Sequence, residues 1–75
     1  MSNDYFEIGK LYSLDSYGHS GGLRLSPEGS EISHFIHNNQ VMMLIKYFND
    51  QGEAIFLIED KLYRIDLYAT DVRKL

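Results

Sequence analysis

The chain contains no cysteine, no tryptophan and a single proline, Pro27. Without cysteine, neither a disulfide nor a thiolate metal site can brace the fold, and the lack fits a reducing compartment. Clustered positive charge is also missing. Seven Lys and Arg stand against eleven Asp and Glu, the formal net charge is −4, and Arg73-Lys74 is the one adjacent basic pair. Phosphate-backbone binding needs grouped cations, so direct DNA contact is not expected. The longest apolar run, Val41 to Ile45, is far short of the roughly 20 residues of a membrane-spanning helix. The opening Met1-Ser2-Asn3-Asp4 has neither the basic start nor the apolar stretch of a secretory leader. The expectation is a cytoplasmic protein without membrane association.

What remains is a 75-residue chain, one domain at most and close to the size at which a single core stops sufficing. Such a core supplies roughly 3–5 kcal/mol of net stability. With disulfides and thiolate metals excluded, self-association is an available route to more.

Short β runs separated by turn residues dominate the pattern. Residues 1–7 are a polar lead-in carrying Tyr5 and Phe6. Ile8 to Leu14 reads as a first strand, entered through Gly9, which tolerates a sharp bend. Residues 15–40 form a long excursion with a Tyr17-Gly18-His19-Ser20-Gly21-Gly22 turn, a short strand at Leu23-Arg24-Leu25, and a Ser26-Pro27-Glu28-Gly29 turn. Within it, Ile32, Phe35 and Ile36 fall at helical spacing after Ser30, a helix N-cap residue type, so one to two helical turns are predicted before Asn38-Asn39. Three strands follow: from Val41 to Phe48, from Ala54 to Ile58, and from Leu62 to Leu67. Asn49 to Gly52 and Glu59-Asp60-Lys61 turn between them. Tyr68 to Asp71 is predicted as one helical turn, and Val72 to Leu75 as a last strand.

This order, one strand, a long loop, a three-strand meander, a helical turn and a final strand, resembles the Src-homology-3-like barrel over Ile8 to Leu75. The opening Phe6-Glu7-Ile8-Gly9-Lys10-Leu11-Tyr12, with Val41-Met42-Met43-Leu44 and Phe56-Leu57-Ile58, is similar in style to small tailed-phage proteins. The resemblance implies a mainly β single domain: a small barrel of about five strands, with a short helical turn in its long first loop. It also implies a phage protein that binds and inhibits a host protein of defence or transcription. Departures from the proline-peptide-binding members are clear: no tryptophan, and Pro27 inside the first loop rather than near the end. Without those aromatic slots, polyproline recognition is not expected.

The strand Leu62 to Leu67 alternates cleanly, with Tyr63, Ile65 and Leu67 set to point inward. The strands from Val41 and from Ala54 do not alternate: both of their faces are apolar. A single small core needs one face, so the surplus predicts an apolar surface. Met42, Leu44, Phe48, Phe56 and Ile58 are the residues predicted to form it. Either the chain covers it, with Tyr5, Phe6 and Ile8 or with the Ile32-Phe35-Ile36 stripe, or a second copy or another protein does.

Three other constellations carry candidate chemistry. The loop residues Tyr17, His19 and Arg24, with Gly21-Gly22, could cradle a nucleotide or small anion, with Tyr12 or Tyr17 stacking on a base. That arrangement would suit an oligomeric nucleotide-sequestering protein, although Gly-Gly more often marks a plain loop tip. His34 and His37 would share one side of a helix and could hold a metal with a third ligand from His19, Glu31 or Asp15. Phe35 and Ile36 on the same stripe favour a packing face instead, and no metal or cofactor is expected. Asp15, His19 and Ser20 are close in sequence but match no catalytic signature, so the chain is not expected to be an enzyme.

Overall fold

The computed structural model describes residues 5–15 and 21–75. Seven strands account for most of them: β1 (Leu11–Asp15), β2 (Gly22–Leu25), β3 (His34–His37), β4 (Val41–Phe48), β5 (Glu53–Ile58), β6 (Lys61–Asp66) and β7 (Asp71–Lys74). Five of them make an antiparallel sheet in the order β6-β5-β4-β1-β7, and β2 pairs with β3 in a separate ribbon. The outer strands β6 and β7 do not pair with each other, so the large sheet stays open. A mainly β chain was expected; a closed barrel is not what forms.

No helix occurs among the described residues. The one predicted before Asn38-Asn39 is replaced by an irregular stretch and β3. A helix of one to two turns has little stability of its own. As a strand, the segment pairs with β2, Leu23 opposite Ile36 and Leu25 opposite His34. Ile36 is buried while Ile32 and Phe35 stay exposed, so the helical spacing never marked one buried stripe. Ser30 does act on the backbone, but its Oγ accepts from Ile32 N at 3.1 Å. That is a local turn rather than a helix cap. Asn39 takes the left-handed conformation (φ 68°) in the turn from β3 to β4. The helical turn predicted at Tyr68 to Asp71 is a turn built on Asp66, whose carboxylate accepts from Tyr68 N at 2.9 Å.

The core lies on the inner face of the five-stranded sheet, closed by Ile36 of the ribbon with Leu23 and Leu25 packed against it. Burial alternates strictly along β5, with Ala54, Phe56 and Ile58 inward. The two-residue turn at Glu59-Asp60 pairs Phe56 with Tyr63 and Ala54 with Ile65, so the inward set continues across β6. In β4 the register shifts between Leu44 and Lys46. Ile45 is the extra residue of a β-bulge, which changes the phase of the strand. Met42 and Leu44 face inward before the shift, and Tyr47 packs against the core after it, opposite Ala54.

An aromatic group holds the N-terminal arm. Phe6 stacks on Tyr12 with ring centroids 5.6 Å apart and tilts against Tyr47 at 5.2 Å. The Tyr12 hydroxyl donates to Tyr5 O and accepts from Glu7 N, both at 2.7 Å. The arm therefore closes the inner side of the sheet, and Ile8 stays exposed.

Candidate interaction surface

The strand registers place one apolar residue from each of four strands in a single row across the outer face. Leu62 stands opposite Leu57, Leu57 opposite Met43, and Met43 opposite Leu11. Val41 and Ile45 flank Met43 along β4. Leu11, Val41, Met43, Ile45 and Leu62 are each 37–50% exposed. Single exposed apolar residues are ordinary, and cross-strand apolar pairs help any sheet. A contiguous row across four strands is a candidate contact surface. Among the described residues, no arm, loop or ribbon strand covers it.

Charged side chains border this row, and its two arginines are paired within the chain. Arg64 donates to Glu53 Oε1 at 2.8 Å and lies 3.5 Å from Glu28. The hydrogen bond to Glu53 is the main reason the Arg64 guanidinium is held above its ordinary value. The same guanidinium sits 4.6 Å from the ring centroid of Phe48, and Lys46 Nζ sits 5.3 Å from it. On the far side, Arg73 pairs with Asp15 at 2.8 Å. Beyond the row, Lys74 donates to Glu7, and this bond, more than its charge, keeps the Glu7 carboxyl below its usual value of 4.5.

Both edges of the sheet are occupied. On β7, the Tyr5 hydroxyl donates to Val72 O at 3.0 Å and accepts from Lys74 N at 2.9 Å. On β6, Pro27 bridges to Tyr63 and Glu28 N donates to Leu62 O at 2.8 Å. Unpaired strand edges are templates for adding further strands, and these contacts blunt that tendency.

The residues predicted for the apolar surface are not where it lies. Met42, Leu44, Phe56 and Ile58 are at most 2% exposed and form the core. Phe48 is half-buried on the outer face, under Arg64 and Lys46. The bulge at Ile45 separates Phe48 from Met42 and Leu44, which uninterrupted alternation had placed together. The surplus of apolar residues is real, but it emerges on the reverse face. One signal in the sequence pointed there. With Tyr63 inward and a two-residue turn at Glu59-Asp60, hairpin pairing alone sends Phe56 inward and Leu57 with Leu62 outward.

The ligand loop fares differently. Tyr17 and His19 lie outside the described residues. Arg24 is exposed but directed at the residue before β3, donating from Nη1 to Ser33 O at 3.3 Å and Ser33 Oγ at 3.2 Å. Tyr12 is fully buried, so it cannot stack on a base. His34 and His37 fall an odd number of residues apart on a strand, and so on opposite faces of the ribbon. No group of three or more His, Cys, Asp or Glu able to hold a metal occurs among the described residues. A groove of about 240 Å³ opens between β3 and the β5–β6 turn, lined by His34, Phe35, Glu59, Asp60, Lys61 and Tyr63 among others. Its charges are mixed, and Lys61 pairs with Asp60 at 3.3 Å. No helix is long and apolar enough to cross a membrane among the described residues.

Comparison with known protein families, with curated proteins and with solved structures finds no match to this chain.

Proposed function

We propose that this chain is a non-catalytic interaction protein that binds protein through the outer face of its five-stranded sheet. The observation that carries this reading is the row Leu62–Leu57–Met43–Leu11, apolar across four strands and uncovered among the described residues. Exposed apolar area on so small a domain is unfavourable in isolation, at about 25 cal/mol per Å². A partner recovers that free energy.

The strand order supports placing the chain in the Src-homology-3-like class, as a version whose outer strands stay unjoined. The final strand lies beside the first, and a three-strand meander follows a long excursion. The phage-type likeness adds a target for the assembled protein: a host protein of defence or transcription, held in an inhibited state in the cytoplasm. The test is site-specific photo-crosslinking of the full chain in host-cell lysate. A photoreactive residue at Met43 is expected to give protein adducts, and one at Phe35, exposed on the ribbon, is not. Adducts from Phe35 alone would move the binding surface away from the sheet.

A further inference from the structure

We propose that the occupant of the outer face is a second copy of this chain, packed sheet against sheet with the row from Leu62 to Leu11 at its centre. The proposal rests on the reading of that face as a protein-binding surface, and three observations narrow the occupant.

The first is charge. The whole chain carries −4, yet both arginines beside the row are matched internally, Arg64 with Glu53 and Glu28, and Arg73 with Asp15. In a two-fold dimer the same patch meets itself, so any net charge on it would be doubled and repelled. On this face Arg64 and Arg73 are answered by its own carboxylates, and the two groups outside those pairs, Lys46 on the Phe48 ring and Asp66 on the Tyr68 amide, are opposite in charge, which comes close to that requirement. A strongly basic or acidic partner would find no complementary field there.

The second is the state of the edges. Tyr5 occupies the β7 edge, and Pro27 with Glu28 occupies the β6 edge. Edge-to-edge growth, which is open-ended, is therefore obstructed. Face-to-face packing remains, and about a two-fold axis it closes after two copies.

The third is area. With strands about 4.8 Å apart and a rise of about 3.4 Å per residue, the five strands present roughly 450–500 Å² in projection. Two such faces remove roughly 1,000 Å² or more from water once side-chain relief is included, at the low end for specific interfaces. The geometry therefore predicts a reversible, concentration-dependent dimer. Met43 and Leu57, in the middle of the row, stand at its centre.

Sedimentation equilibrium of the purified full chain tests this, with fold checked by circular dichroism. The wild type is expected to shift with concentration from 8.7 kDa to twice that mass. Met43→Lys is expected to weaken the dimer roughly 30-fold or more, as loss of a central anchor does. Leu62→Lys, on a different strand, is expected to do the same, and decides the matter should Met43→Lys fail to fold. Phe35→Lys, on the ribbon, should leave the dimer intact. A wild type that stays monomeric at millimolar concentration overturns the second copy. If Met43 still crosslinks to a foreign protein in lysate, the binding-face reading survives that result. A dimer indifferent to both lysine substitutions overturns the second copy and the face together.

Discussion

Two glycines show how differently the same residue type can be constrained. Gly22 has φ 155°, and a Cβ there would lie 2.0 Å from the carbonyl oxygen of Ile36, within the β2–β3 ladder. Backbone cannot move aside without breaking the ribbon. Gly52 has φ 66°, but its added Cβ would meet the ring of Tyr68, a side chain 84% exposed and able to swing into water. Gly22→Ala should therefore cost about 2 kcal/mol or more, and Gly52→Ala about 1 kcal/mol, chiefly from its left-handed backbone. Urea unfolding of both variants checks the ranking. An equal loss would mean that the ribbon contributes little to global stability.

At the scale of elements, the edges decide whether the sheet remains a discrete object. β7 is four residues long and would expose Val72 O and Lys74 N but for the Tyr5 hydroxyl, which meets both. Phe6, the next residue, is stacked on Tyr12, so the arm is anchored independently of the hydroxyl. Tyr5→Phe should then leave the arm in place and uncover the edge. A loss of about 1–2 kcal/mol is expected for two hydrogen bonds to partly exposed groups. Amide exchange should quicken at Lys74 while the β4–β5 amides stay protected. Unchanged exchange at Lys74 would show that the tyrosine is not what guards this edge.

For the whole molecule, the central fact is that a sheet apolar on both sides has one core. Phe56 is fully buried, in edge-to-face contact with Tyr12 at 5.7 Å, whereas Met43 on the same pair of strands is 37% exposed. Phe56→Ala is expected to cost about 3–5 kcal/mol. That is comparable to the total stability of a domain this size, so the variant should be largely unfolded at room temperature. Met43→Ala, measured at dilution, should change stability by less than about 1 kcal/mol. Equal losses would mean that the outer face is covered within one chain. The two faces thus differ: one holds the fold, and the other leaves its apolar row partly exposed.

Much of this was legible in the sequence. Most of the β runs, their turns at Asn49 to Gly52 and around Glu59-Asp60-Lys61, of which Lys61 already belongs to β6, and the inward set Tyr63 and Ile65 follow from alternation and turn chemistry, which act over a few residues. The surplus of apolar side chains on two neighbouring strands was legible too, because it needs only counting. What that counting left open was which face is the core. In β4 the choice turns on one inserted residue, Ile45, and a bulge shifts phase by an amount no local pattern records. The strand nature of His34 to His37 likewise depended on β2, whose paired residues lie 9 to 15 positions away and whose ladder outweighed a helical spacing too short to sustain itself. Local forces determined which segments are extended, where they turn and how the β5–β6 hairpin faces; long-range pairing decided the facing of β4 and the strand state of β3.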